Sequence, residues 1–220
     1  MILDKRADLG HGDVKKLLFS LSVPTITSQI VNMLYNLVDR VFIGHMQPAE
    51  TVGKLALTGV GVCLPIIMVI SAFASLMAIG GAPRASIAEG AGESEKSERI
   101  MGNCLTMLVI TALVLTVLFE SFAEPLLLMF GASENTIGYA LDYMRIYALG
   151  TIFVQLTLGM NAYITAQGFA TVSMKTVLIG ALLNTALDPL FIFVLGLGVR
   201  GAALATVISQ AVSAVWVMTF

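Results

Sequence analysis

Five stretches of this chain run for twenty residues or more without a charged side chain: 17–38, 55–83, 100–119, 146–174 and 201–220. A helix needs about 20 predominantly apolar residues to cross the hydrocarbon core of a bilayer. A further stretch, 176–199, is interrupted only by Asp188. Charged residues make up 12% of the chain and mean hydropathy is +0.91, whereas an ordinary soluble domain carries about 25% charge. A water-soluble enzyme is excluded, because five such stretches would expose an apolar surface that no core could take in. A disordered chain and a disulfide-stapled module are excluded on the same grounds.

The remaining bulk properties narrow the partners. Formal net charge is −2, and no polybasic run points to nucleic acid. Cys63 and Cys104 lie in apolar stretches with no CxxC spacing, so they read as small hydrophobes packed between helices. His11 and His45 are single and far apart, which argues against a histidine–cysteine metal site. No nucleotide-binding loop, Ser/His/Asp set or zinc spacing occurs, so chemistry on a substrate is not expected. The polar segment 1–16 precedes an apolar stretch longer than the roughly 7–15 residues of a signal-peptide core, and that stretch reads as a first membrane helix.

The charge gaps and turn residues predict six spans at about 17–44, 55–82, 100–122, 141–166, 174–196 and 201–220, a single bundle over 17–220 behind a cytoplasmic segment 1–16. Pro24 and Pro65 are expected to kink the first and second spans. The short apolar patch Pro125–Phe130 is expected at the interface. With the N-terminus inside, the inner segments hold Lys5, Arg6, Lys15, Lys16, Arg84, Lys96, Arg99 and Lys175, and the outer side holds Arg40, Lys54, Arg145 and Arg200. That imbalance favours a cytoplasmic N-terminus. The chain stops inside an apolar run at Phe220, which suggests a piece of something longer.

Ionisable residues inside a span are costly and usually face a cavity or a partner. Asp39 lies near the outer end of the first span and Asp188 lies within the fifth. At 1.5 Å per residue they sit about 8 Å and about 12 Å below the outer surface, in one depth band. Two acids at one depth on neighbouring helices make a cation or proton site. Asn184 is one helical turn before Asp188, and Pro189 follows it and frees the carbonyl of Thr185. Carboxylate, amide and carbonyl oxygens within one turn suit Na+ or a protonatable carboxyl. Thr206 of the sixth span falls in the same band. The segment Asn36–Ile43 also echoes Asn184–Ile192, with Thr58 and Thr206 following at similar distances.

These residues resemble a known family. Pro24–Gln29 through Asp39–Gly44, Asn161–Gly168, Asn184–Pro189 and Gly201–Val207 are similar, in order along the chain, to segments of multidrug and toxin extrusion (MATE) transporters of the bacterial multidrug-exporter type. The resemblance implies an all-α integral membrane protein in which this chain is the N-terminal six-helix lobe of twelve helices, in a bacterial inner membrane. It implies export of cationic, amphipathic drugs in exchange for Na+ or H+, with the bilayer and a second six-helix lobe as partners and no cofactor. Asp39, Asn184, Asp188 and Thr206 match the family's cation-site positions and would be the metal ligands if the ion is Na+. Tyr143, Asn161 and Gln29 match polar cavity positions. A lipid-linked oligosaccharide flippase of related fold and a non-transporting membrane scaffold remain as alternatives.

Overall fold

The computed structural model describes residues 13–220, so Lys5, Arg6, His11 and most of the segment 1–16 lie outside the described residues. Among the described residues there are eight α-helices and no strand: α1 Val14–Gly44, α2 Lys54–Val62, α3 Leu64–Gly90, α4 Ser94–Met129, α5 Ile137–Leu149, α6 Thr151–Ala166, α7 Ala170–Pro189 and α8 Val199–Thr219. Asp13 starts α1, its side chain accepting a hydrogen bond from the Lys15 N–H at 3.0 Å, as an N-cap should. Four helical stretches besides α1 are long and apolar enough to cross a membrane on their own: Thr51–Gly90, Ser94–Met129, Ala170–Val194 and Val199–Thr219. The α5–α6 pair, bent by 56°, makes a sixth. The side bearing Arg84, Lys96, Arg99 and Lys175 is called inner below.

The breaks within spans have local causes. Pro65 has no N–H to give, and it occupies the first turn of α3, where none is required; the helix is interrupted just before it, at Cys63. α2 and α3 nonetheless continue as one span. At Gly150 the chain turns from α5 into α6, and the side chain of Val207 on α8 occupies the space a Cβ would need. Any larger residue there would push α8 away. Beyond Pro189 the α-helix widens into a π-turn, Leu190–Val194, closed by a bond from the Leu195 N–H to the Leu190 carbonyl at 2.9 Å. Gly196 and Gly198 follow with φ of 64° and 56°, which a side chain would resist.

α4 differs from the expected span. It continues to Met129 through a kink at Phe122, so Pro125–Met129 is its last turn rather than a separate patch. Pro125 is tolerated because the irregular residue lies within one turn before it.

α1 packs chiefly on α7, α3 on α4 and α6, and α7 on α8. The core falls into two clusters. The outer one holds Ile43, Ile66, Ile70, Leu127 and Met144; the inner one holds Leu108, Val172 and Tyr163. Large apolar side chains such as Phe19, Ile30 and Met33 on α1 point outwards. In lipid this costs nothing, because the hydrocarbon replaces a protein core as their surroundings, while the helices satisfy most backbone hydrogen bonds internally.

Candidate functional site

Three helices turn polar faces towards each other. On α1, Asn32, Tyr35, Asn36 and Asp39 follow the i, i+3, i+4, i+7 spacing of one helical face. On α8, Thr206, Ser209, Gln210 and Ser213 do the same, and on α7 Thr176 and Asn184 lie two turns apart. All of them line one cavity of about 280 Å³, together with Ser71 of α3, Tyr143 and Tyr147 of α5 and Thr157 of α6. The Tyr143 and Tyr147 rings stack at 5.9 Å. Arg40, at the outer rim, is the one basic side chain lining this cavity among the described residues.

The acids sit at its outer end. Asp188 is fully buried, Asn184 is buried and Asp39 is 8% exposed. The Asn184 amide donates to Asp188 Oδ1 at 3.2 Å and reaches Thr206 Oγ1 at 3.4 Å. The Asp39 and Asp188 carboxyl groups are neighbours, and Tyr143 lies against Thr206. Helix α7 thus carries one acid and its amide partner, α1 brings the second acid, and α8 brings the hydroxyl. Three buried oxygens of this group, Asp39 Oδ1, Asp188 Oδ2 and Asn184 Oδ1, have no hydrogen-bond partner. Buried polar atoms without partners are rare and costly. Two neighbouring carboxyl groups with unfilled acceptor oxygens, beside an amide oxygen also left unpaired, fit a cation or a shared proton. No cluster of three His, Cys, Asp or Glu occurs among the described residues, so any metal held here would rest on two carboxyl groups and the neutral oxygens of Asn184 and Thr206.

The structure brings together Asp39, Asn184, Asp188, Thr206 and Tyr143. It places Asn161 and Gln29 elsewhere. Asn161 lies near the inner end of α6 and donates to the Ser173 carbonyl at 3.3 Å, tying α6 to α7. Gln29 lines a shallow groove beside the cavity, sharing Asn32, Asn36 and Arg40 with it, because it falls off the centre of the face that carries Asn32, Tyr35 and Asp39. Thr58, part of the sequence echo, is exposed and bonds back to the Lys54 carbonyl at 2.8 Å. Tyr35, Ser209, Gln210 and Thr176 escaped the sequence reading. The signal for them was the repeated 3–4 residue spacing of polar residues in two otherwise apolar helices.

The MatE family profile matches residues 24–190. The chain belongs to the MatE family. Multidrug export protein MepA of Staphylococcus haemolyticus is 29% identical over 210 residues, 96% of this chain and 45% of the relative. Among solved structures, a MATE protein in the bent conformation aligns with a TM-score of 0.85 at 29% identity, over 94% of this chain and 45% of the other. An outward-facing multidrug resistance MATE family transporter aligns at 0.85 and 29%, over 94% and 44%. This MatE chain therefore spans about half the length of the relatives it matches. MatE proteins are transporters, not enzymes, and the helices and relatives together place the chain in a bacterial inner membrane as a multi-pass protein.

Proposed function

We propose that residues 17–220 form one six-helix lobe of a twelve-helix secondary transporter that exports cationic, amphipathic drugs in exchange for Na+ or H+. The observation that supports this reading is a pair of buried, neighbouring acids, Asp39 and Asp188, with partnerless oxygens on both and on the adjoining Asn184. Two carboxylates in a low-dielectric site repel each other, and either a cation between them or a proton on one relieves that cost. An entering cation or proton and a departing drug cation would compete for the same negative charge. Exchange then follows if the two occupants favour different conformations of the lobe. The first helix is built to respond. Pro24 removes a backbone bond from α1, and the hydroxyls of Thr25, Thr27 and Ser28 bond back to carbonyls one turn earlier at 2.7–2.8 Å, a pattern that softens and bends helices.

The test is drug resistance in cells carrying the full natural chain, its Asp188→Asn form or its Asp39→Asn form. Both variants should lose resistance while still reaching the membrane; resistance equal to the parent in both would overturn the site. A flippase would need several cations for a pyrophosphate headgroup, and the cavity is lined by Arg40 alone of the basic residues, beside Asp39 and with Asp188 buried behind it. No observation favours that reading.

A further inference from the structure

On the inner side the surface between α3 and α4 carries a groove of about 740 Å³. Its α3 wall follows Leu76, Gly80, Arg84 and Ile87, and its α4 wall follows Lys96, Ile100 and Asn103. Each set lies along one helical face, so the groove runs about 16 Å along α3 and about 10 Å along α4 at 1.5 Å per residue. Its two ends differ in chemistry. Arg84 and Lys96 stand at the inner end with the single carboxylate of Glu93, and the deeper end is apolar, with Leu76 largely exposed. Arg84 has no ion-pair partner among the described residues, and Lys96 is held by Glu93 at 2.7 Å in an exposed i, i+3 pair. Such surface pairs are weak and exchange readily. Gly80 keeps the middle of the groove open, since a Cβ there would meet nothing within 4 Å.

An inner end with two basic side chains against one carboxylate, continuous with an apolar slot, matches one molecule of the inner leaflet. We propose that this groove binds an anionic phospholipid, its phosphate between Arg84 and Lys96 and an acyl chain lying past Gly80 against Leu76. Basic pockets between membrane helices on the cytoplasmic side recognise anionic headgroups in this way. With a lipid bound, the long stems of Arg84 and Lys96 would lie along its apolar part while their charges meet the headgroup. A lipid here would tie the α3–α4 hairpin to the inner leaflet, apart from the acid pair at the outer end of the cavity.

Native mass spectrometry of the full natural chain released from nanodiscs tests this. Phosphatidylglycerol should remain bound at least tenfold more often than phosphatidylcholine. The double variant Arg84→Gln with Lys96→Gln should erase that preference. Gly80→Leu, which puts a side chain into the open slot, should reduce retention of both lipids. Equal retention of the two lipids by the parent, unchanged retention in the variants, displacement of phosphatidylglycerol by inorganic phosphate alone, or a groove closed to lipid by the rest of the natural chain would each overturn the proposal. The readout does not depend on drug transport, so it stands or falls separately from the acid site.

Discussion

Asp188→Asn is the sharpest test of the acid pair, because it alters charge with almost no change in shape. Asp188 is fully buried, accepts from Asn184 and has a second oxygen without a partner. Removing one member of a buried charge pair costs about 2–5 kcal/mol. An asparagine keeps one coordinating oxygen, so the lower part of that range applies; about 2–3 kcal/mol weakens cation binding roughly 30–150-fold. A cation at about a hundred times its dissociation constant stabilises the folded state by about 2.7 kcal/mol. In a variant binding roughly fifty-fold more weakly, the same concentration gives about 0.6 kcal/mol. At about 2–4 °C per kcal/mol for a domain of this size, the cation-induced rise in Tm should fall from roughly 5–11 °C to roughly 1–3 °C. Without the cation the order changes. The variant has lost the repulsion between neighbouring carboxylates and should melt at or above the parent. The assay is thermal unfolding of the natural chain in detergent, with sodium chloride against choline chloride, repeated in acidic and alkaline buffers. If the coupling ion is a proton, acidification takes the place of sodium and the variant loses that response instead. A variant that keeps the parent's full response to sodium or to acid would refute the reasoning.

Gly150→Val should lower Tm, because the new side chain meets Val207 and overpacking of this kind costs about 1–3 kcal/mol; circular dichroism melts measure it. Gly102→Ala, on α4 where a Cβ meets nothing, should raise stability by about 0.5–1 kcal/mol through helix propensity, read in the same melts. Asn161→Ala breaks the bond to the Ser173 carbonyl and should cost about 1 kcal/mol while leaving the cation-induced Tm rise intact. A lost cation response in Asn161→Ala would return that residue to the acid site. Arg200→Gln removes an exposed ion pair with Asp142 and should leave Tm unchanged at any salt concentration.

The spans were legible because charge is excluded from hydrocarbon, so gaps between charged residues mark where helices run. Breaks inside spans were legible only where one residue dictates them. Pro65 announces the start of α3, but the 56° bend at Gly150 depends on Val207, far along the chain on α8, and no local pattern contains it.

The site divides along the same line. In a soluble helix an apolar stripe marks the inside; in lipid both sides can be apolar, and polar residues must mark it instead. A lone carboxyl such as Asp188 is conspicuous at any depth. Asn161 is equally polar and equally within a span, yet it serves a neighbouring carbonyl, because one polar residue fixes a depth and not a direction. Direction needs a second and third polar residue at 3–4 residue intervals. Asn32, Tyr35, Asn36 and Asp39 satisfy that on α1, as do Thr206, Ser209, Gln210 and Ser213 on α8. Gln29 precedes the first stripe by one turn, yet at 3.6 residues per turn it stands about 70° round from the centre of that stripe, in the groove beside it. The stripes, more than the single acids, specify where α1, α7 and α8 meet. A cation at Asp39 and Asp188 would therefore act on the joint between α1, which carries Pro24, and α7, on which it chiefly packs.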